Sequence, residues 1–252
     1  MDRIGPQIVT VSDLGHTAGS HPVFGAMKLL VLGATGNSGR EVLDLALARG
    51  HQVTAFVRSP QKITQTHTRL RVVPGSPFDL PEFARALEGQ NAVLSTLGLA
   101  PRLALRPSHF MAESTAATVS AMRTAGVLRL CILSAAVLFP GTGPQYAFFK
   151  WLLRHHARDL EGLETVVKAS DLEWTIARPP RLVKAPDARY AAARDALPDG
   201  ASSATFRGTA AFLLDATERH EHVRETVGIV RANRRSRPSD RDHPCTGATP
   251  IV

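Results

Sequence analysis

The sequence has no apolar run that approaches the roughly 20 residues needed to cross a bilayer. Residues 1–26 also lack the uninterrupted apolar core of a secretory signal, so a cytoplasmic protein with no membrane partner is expected. Cysteine is scarce, with two among 252 residues. Cys131 lies in an apolar run and Cys245 in a polar tail, and this placement argues against a disulfide framework.

Negative charge is also in short supply, which leaves a formal net charge of +8. Part of the excess comes from residues 231–243, RANRRSRPSDRDH, which carry five arginines against two aspartates. No aromatic residues lie among these arginines, as stacking on single-stranded nucleic acid would require. We therefore expect no specific nucleic-acid partner, although this tail could touch polyanions weakly.

Short apolar runs alternate with amphipathic stretches of ten or more residues across positions 27–230. This alternation predicts a doubly wound, mostly parallel α/β sheet of the Rossmann type in a single domain. A long helical region is expected from about 145 to 170, with an interruption near Asp159. The pattern lapses near 181–203, where we expect a small substrate-side excursion with one short strand.

The two ends of the chain lack this pattern. Residues 1–26 contain Gly, Pro, His and Ser with weak periodicity, and we expect a disordered extension there. Residues 231–252 are rich in Ser, Pro and Arg with few apolar side chains, and a disordered basic tail is expected.

A glycine-rich turn joins the first predicted strand to the first predicted helix. KLLVLG runs into GATGNSG, with the spacing Gly33-x-x-Gly36-x-x-Gly39. Gly33 permits a sharp turn, Gly36 leaves room for a pyrophosphate, and Gly39 lets the helix pack closely on the sheet. The helix N-terminus offers N–H groups to phosphates. Short polar side chains surround the turn: Thr35, Asn37 and Ser38. The strand–turn–helix context favours a dinucleotide site over a purely structural turn.

The end of the second predicted strand indicates which dinucleotide binds. NAD sites usually place an acidic residue there to hold the ribose hydroxyls. This strand ends FVRSPQK, which puts Arg58 at that position, with Ser59 and Lys62 close behind. A guanidinium, a hydroxyl and an ammonium together suit a 2′-phosphate, so the sequence predicts NADP(H). The alternative is an ordinary basic loop.

These stretches carry a family resemblance. LGATGNSGREVLDLALARGHQVTAFVRSPQK, followed by NAVLSTLG and LEWTIARPPRL, resembles the atypical short-chain dehydrogenase/reductases with an NmrA-like, NAD(P)H-binding domain. The flavin and biliverdin reductases are well-known relatives of that family. The resemblance covers about residues 27–230 and implies a Rossmann fold with a bound NAD(P)H.

The resemblance also implies roles for individual positions. The glycine motif would line the pyrophosphate, and Arg58 and Lys62 would hold the 2′-phosphate. Further residues would lie along the cofactor or border its nicotinamide: Leu97, Gly98, Pro179 and Pro180. The family often has Gly-Asp after the third strand, where this chain has Gly75-Ser76, and this departure bears on the adenine-side contact.

Three residues resemble a catalytic triad. Ser134 ends the fifth predicted strand, where the family often has a serine that faces the nicotinamide and can hydrogen-bond a substrate carbonyl. Tyr146 and Lys150 follow, one helical turn apart on one face. Typical members of the superfamily use Tyr-x-x-x-Lys after such a serine, because the lysine lowers the pKa of the phenol that transfers the proton.

Structural interpretations of these residues stay open. Ser134 could instead be a strand-end serine satisfied by the backbone. YAFFKWLLRHH is very apolar, so the helix carrying Tyr146 and Lys150 could simply pack against the sheet, a partner or a substrate. Close atypical relatives generally lack the motif. Without it, hydride transfer to an easily reduced acceptor needs mainly positioning.

No metal site is expected. His155 and His156 are adjacent and so point to different sides of a helix, which makes them a poor chelate with Asp159. We interpret them as part of a solvated face. Glu161 and Glu164 are likewise expected to be exposed helix charges.

The sequence thus predicts an NADP(H)-dependent oxidoreductase that transfers hydride to a small acceptor of the flavin, quinone or carbonyl type. The main alternative is an NmrA-like regulator that binds NADP(H) without turnover and passes the redox state to a protein partner. A sugar-nucleotide epimerase is a third option, but such enzymes usually need a larger C-terminal substrate domain.

Overall fold

The computed structural model describes residues 9–10, 25–98, 106–141, 148, 151–199 and 202–232. The strands are β1 (Val9–Thr10), β2 (Lys28–Leu32), β3 (Gln52–Val57), β4 (Leu70–Pro74), β5 (Ala92–Ser95), β6 (Arg129–Leu133), β7 (Glu173–Arg178), β8 (Arg181–Val183), β9 (Tyr190–Arg194), β10 (Ser203–Thr205) and β11 (Glu225–Arg231). The helices are α1 (Asn37–Ala48), α2 (Leu80–Leu87), α3 (Phe110–Ala125), α4 (Arg154–Lys168) and α5 (Phe206–Glu218).

The main sheet of the described residues runs in the order β1-β9-β11-β7-β6-β5-β2-β3-β4. β9 pairs antiparallel with β11 and with β1, whereas the other neighbours are parallel. The chain runs outward from β2 to β4 and then returns to β5 on the other side of β2. Doubly wound folds bind ligands at such a reversal, outside the carboxyl ends of the strands.

Helices cover both faces of the sheet because its strands are apolar on both sides. In β2, Leu29 and Val31 face one layer while Leu30 and Leu32 face the other. α1 and α5 cover the first face, and α2, α3 and α4 cover the second. The predicted doubly wound, single-domain architecture is therefore confirmed. None of the described helices is both long and apolar enough to span a bilayer.

The region after β7 differs from the prediction of a single short strand. β8, β9 and the start of β10 all lie between positions 181 and 203, and β8 pairs with β10 in a separate two-stranded parallel sheet. β9 was missed because YAAAR has little intrinsic strand preference. Its alanines are instead buried against β11, where Ala193 lies opposite Gly228.

The expected interruption of the long helix near Asp159 is wrong, because α4 runs continuously from Arg154 to Lys168. Of the N-terminal extension before residue 25, the structure describes Val9–Thr10, which pair with Ala191 and Ala192 of β9. The remaining predictions for the two ends of the chain concern positions outside the described residues.

Candidate cofactor and acceptor site

The glycine-rich turn has the geometry that its sequence predicts. Gly33 has φ = +75°. A Cβ there would lie 2.6 Å from the carbonyl carbon of Thr96, the residue that directly follows β5. A Cβ at Gly39 would lie 2.6 Å from the Ala34 Cα and would also collide with the Gly33 carbonyl oxygen. Both glycines are therefore required for the strand, the turn and α1 to pack together.

Gly36 has a different role in the same turn. It is the N-cap residue of α1, its N–H donates to the Gly33 carbonyl at 2.9 Å, and it is exposed. A Cβ here would approach only the Gly33 oxygen, at 3.3 Å. No side chain caps α1, and its first turn has no acidic residue. The helix thus presents N–H groups and its positive dipole end to a cleft, as phosphate binding requires.

The cleft lies at the carboxyl ends of β2, β3 and β5, and its first half has a volume of about 320 Å³. We call this half the adenosine end. It brings together Gly33, Thr35 and Gly36 with the three residues predicted to select the dinucleotide. The residues that line it are Leu32, Gly33, Thr35, Gly36, Phe56, Val57, Arg58, Ser59, Lys62, Gly75, Ser76, Pro77, Thr96, Leu97, Gly98 and Phe110.

Phe110 is a lining residue that the sequence analysis missed. The Arg58 guanidinium lies 5.8 Å from the centre of its ring, within cation–π range, and Phe78 packs edge-on against it at 6.1 Å. Arg58 itself is exposed at the cleft mouth. Gly75 is also required, because a Cβ there would collide with the Phe56 ring. The lining of this end thus includes the rings of Phe56 and Phe110. It also includes Ser76, at the position where the family often has an aspartate.

The second half of the cleft has a volume of about 420 Å³ and adjoins the first. We call it the acceptor end. The two ends share Gly36, Thr96, Leu97 and Gly98. The lining residues here are Gly36, Asn37, Ser38, Thr96, Leu97, Gly98, Met111, Leu133, Ser134, His156, Leu160, Pro179, Leu182 and Phe206. Pro180 is half-buried and is not among the described lining residues of either end.

Ser134 lies at the acceptor end, but its hydroxyl hydrogen is already donated to a neighbouring side chain. Its Oγ donates to Oε1 of Glu164 at 2.7 Å. Its backbone N–H donates to the Ala177 carbonyl at 2.8 Å, which fixes the end of β6 against β7. Ser134 is 9% exposed. With its hydrogen committed to a carboxylate, its oxygen can offer lone pairs to the cleft.

The expectation that Glu164 is an exposed helix charge is wrong, because its side chain is only 3% exposed. Its carboxylate accepts two hydrogen bonds from the Arg178 guanidinium and one from Lys168 Nζ at 2.9 Å, besides that from Ser134. Burial by itself raises the pKa of Glu164, but the hydrogen bonds from Arg178, Lys168 and Ser134 outweigh it, so the net pKa is lowered. Arg178 in turn lies 4.6 Å from the Phe139 ring centre. Glu161, one turn earlier, is exposed as expected.

Asp159 and His156 also depart from the expected solvated face. Asp159 is 1% exposed and accepts from the backbone N–H groups of Met111 at 3.2 Å and Ala112 at 3.0 Å, so it caps α3 from α4. His156 is half-buried and lines the acceptor end. Its Nδ1 is shielded from solvent and has no hydrogen-bond partner among the described residues. Burial lowers the pKa of His156, with Asp159 acting weakly against it.

Tyr146 and Lys150 lie outside the described residues, so their predicted place beside Ser134 stays a prediction. Within the described part of the chain, no group of three or more His, Cys, Asp or Glu side chains could hold a metal ion. His156 and Glu164 were missed as site residues because helical spacing alone does not show which face of a helix meets a cleft. Their shared spacing of eight residues, about two turns, was the available signal.

Known proteins are similar to this chain in sequence and in fold. Residues 33–220 match the model of a family described as NAD(P)H-binding. The uncharacterized protein YwnB of Bacillus subtilis is 26% identical over 217 residues, which span 81% of this chain and 98% of that protein.

Two solved structures extend the comparison of folds. A Rossmann-fold NAD(P)-binding family protein from Shigella flexneri has a TM-score of 0.65 at 22% identity, covering 90% of this chain and all of the other. A short-chain dehydrogenase/reductase from Veillonella parvula, in complex with NADP, has a TM-score of 0.65 at 18% identity, covering 81% and 94%.

Proposed function

The chain belongs to the NAD(P)H-binding family, and we propose that it is an NADP(H)-dependent oxidoreductase that reduces a small acceptor of the flavin, quinone or carbonyl type. One observation carries the proposal. Two adjoining cavities lead from a basic end at Arg58 and Lys62, past the uncapped N-terminus of α1, to an end lined by Ser134 and Pro179. The basic end suits the 2′-phosphate of one cofactor, the N-terminus of α1 suits its pyrophosphate, and the end with Ser134 and Pro179 suits its nicotinamide.

The basic end supports NADP(H) over NAD(H). Arg58, Ser59 and Lys62 all line it, and none of its described lining residues is acidic. A 2′-phosphate would therefore meet two cations and a hydroxyl, whereas the free ribose hydroxyls of NAD would find no carboxylate to accept their hydrogens.

The remaining cofactor-binding residues would act by position. Asn37 and Ser38 would lie beside the phosphates at the start of α1, Leu97 and Gly98 would lie along the cofactor, and Pro179 would border its nicotinamide. Bound NADPH supplies a hydride, that is, two electrons with one proton. Because Ser134 donates to Glu164, its lone pairs suit an amide N–H donor such as the nicotinamide carboxamide.

The catalytic role predicted for Ser134 therefore shifts toward cofactor positioning. Glu164 would hold the serine hydroxyl in one orientation, and Arg178 would hold Glu164. Tyr146 and Lys150 stay candidates for proton transfer to the acceptor.

A second candidate function is an NADP(H)-binding regulator without turnover. The large aromatic side chains of Phe148 and Trp151 are 57% and 60% exposed, and their rings are 6.3 Å apart. Exposed aromatic side chains of this kind are enriched in protein interfaces, which favours a protein partner in this alternative.

Cofactor binding and turnover separate the two functions. NADPH and NADH are titrated against the full chain by fluorescence, and NADPH oxidation is then followed with FMN, menadione and a panel of aldehydes. We expect NADPH to bind at least tenfold more tightly than NADH, since one charged hydrogen-bonded contact contributes about 1.5–3 kcal/mol. Tight NADPH binding with no turnover on any acceptor would favour the regulator, and tighter binding of NADH would overturn the role of Arg58.

A further inference from the structure

We propose that the Nε2–H of His156 donates the hydrogen bond that holds the acceptor's oxygen, and that the acceptor is an uncharged, mostly apolar carbonyl compound of the quinone class. The inference rests on the proposed reductase function and names the substrate class of the same cleft. His156 would then touch the substrate directly, at the acceptor end.

The first step is the availability of donors at this end. Thr96 donates its hydroxyl hydrogen to the Leu32 carbonyl at 2.8 Å, and Ser134 donates to Glu164 at 2.7 Å. Asn37 and Ser38 belong to the first turn of α1, where the phosphates would bind. Among the described lining residues, His156 is the remaining side chain with an N–H or O–H to offer.

The second step is the orientation of the ring. Nδ1 of His156 is shielded from solvent and lacks a partner among the described residues. A hydrogen on that atom would be a buried donor without an acceptor, which is costlier than a buried lone pair. The neutral ring therefore carries its hydrogen on Nε2, which is not among the shielded, unpartnered atoms of the described residues. Because His156 lines the acceptor end, we assign this Nε2–H to the cleft. Burial favours this neutral form.

The third step is the character of the walls. Large apolar side chains line the same end as His156: Met111, Leu133, Leu160, Leu182 and Phe206. None of the described lining residues of this end is Lys, Arg, Asp or Glu. An acceptor with a phosphate or carboxylate would find no counter-ion among these described residues, whereas a flat carbonyl compound would bury its rings against the apolar side chains. The volume of about 420 Å³ also has to hold the nicotinamide, so the space that remains suits a small, flat acceptor.

The reaction balances without a further oxidant or reductant. The acceptor gains two electrons and one proton as a hydride from NADPH, and a second proton that comes ultimately from the solvent, which gives a hydroquinone or an alcohol and NADP⁺. His156 stays neutral throughout. Its hydrogen bond stabilises the negative charge that develops on the acceptor oxygen before protonation.

Two His156 variants and one neighbouring control test the proposal in the full chain. His156→Leu removes the donor, and His156→Gln keeps an N–H at the reach of Nε2. His155→Leu is the matched control, because His155 is adjacent on α4 but is not among the described lining residues. Menadione binding to the NADP⁺ complex is measured by calorimetry, and kcat and KM are measured for NADPH oxidation with menadione.

We expect His156→Leu to weaken menadione binding at least fivefold and to lower kcat/KM by about 10²-fold, as for the loss of one oxyanion donor. His156→Gln should stay within about tenfold of the wild type, and His155→Leu should match it. The NADPH dissociation constant should change less than about twofold in every variant, since the contacts of the adenosine end are untouched.

Three results would overturn the proposal. If His156→Leu binds and reduces menadione like the wild type, or if His155→Leu is equally impaired, His156 is not the donor while the reductase function stands. If FMN has a higher kcat/KM than menadione, the substrate class is wrong. If the wild type binds NADPH and reduces no acceptor, the proposed function and this inference fall together.

Discussion

Glu164 and Arg178 form a bidentate ion pair in the protein interior, with Nε 2.8 Å from Oε1 and Nη2 2.6 Å from Oε2. The pair joins α4 to the end of β7 directly behind Ser134, whose hydroxyl donates to the same Oε1. Lys168 adds a fourth hydrogen bond to this carboxylate. The buried Glu164 carboxylate thus fixes Ser134 at the acceptor end, and both of its oxygens accept hydrogen bonds.

Replacing this carboxylate should destabilise the fold. The Arg178 side chain is only 12% exposed, and Glu164→Ala leaves its guanidinium without this carboxylate partner. We expect a loss of about 3 kcal/mol in the free energy of unfolding, measured by urea denaturation. Glu161→Ala is the control, because Glu161 is exposed one turn away, and it should change stability by less than about 0.5 kcal/mol. Equal losses in both variants would contradict the buried network.

The same carboxylate should make stability depend on pH on the acid side. The pKa of Glu164 in the folded protein lies below its ordinary value of 4.5 because of its hydrogen bonds to Arg178, Lys168 and Ser134, which outweigh burial. The folded state therefore favours the ionised form. The contribution of ionised Glu164 to the free energy of unfolding should be fully present above pH 4.5. It should be lost as the pH falls through the lower pKa that Glu164 has in the folded protein. The difference in unfolding free energy between the wild type and Glu164→Ala should shrink over that interval.

Arg58 should decide between the two dinucleotides. Arg58→Ala removes the guanidinium at the mouth of the adenosine end, and we expect NADPH to bind about tenfold more weakly while NADH binding changes less than about twofold. The measurement is a fluorescence titration with each cofactor. Arg71→Ala, on exposed β4 and outside the cleft lining, should leave both dissociation constants unchanged. An equal loss for NADPH and NADH would show that Arg58 does not contact the 2′-phosphate.

Two glycines of the same turn should fail in different ways. Gly39→Ala forces a Cβ against the backbone of Gly33 and Ala34, so we expect a loss of about 3 kcal/mol or no folded protein. Gly36→Ala meets only the Gly33 oxygen, at 3.3 Å, and should fold. Its methyl group would face the phosphates, and NADPH binding should fall at least tenfold. Circular dichroism and fluorescence titration separate the two outcomes, and normal cofactor binding by Gly36→Ala would contradict the phosphate site.

Tyr190 should resist ionisation for as long as the protein is folded. Its hydroxyl donates to Asp215 Oδ2 at 2.6 Å. Burial, followed by the charge of Asp215 and this hydrogen bond, raises the pKa of Tyr190 well above its ordinary value of 10.0. The neutral Tyr190 therefore stabilises the folded state below pH 10.0, and this stabilisation is lost as the pH rises above 10.0.

The chain has two tyrosines, so a Tyr146→Phe variant leaves Tyr190 as the single phenol. We expect its phenolate absorbance to appear only together with loss of the circular dichroism signal at alkaline pH. Phenolate formation near pH 10 in the folded variant would contradict the bond to Asp215.

Local patterns were enough to predict the mostly parallel sheet with its alternating strands and helices. The sequence also named Gly33, Gly36 and Arg58, which the structure brings to one cleft. The glycine spacing and Arg58 act through backbone conformation and through their place at strand ends, and parallel strands bring those ends together in any such sheet. The weak strand β9 could not be predicted, because its alanines are ordered by burial against β11 rather than by their own preference.

The inward side of α4, which forms one wall of the acceptor end, could not be predicted from the sequence for the same reason. Asp159 and Glu164 have the composition of a solvated helix face, yet α4 turns both inward, one to cap α3 and the other to bind Ser134 and Arg178. The sequence alone determined the Rossmann fold and its glycine turn, since these follow from spacing along one strand and one helix. Only the tertiary structure decided which side chains meet behind the cleft, because partners 14 to 48 residues apart are chosen by packing.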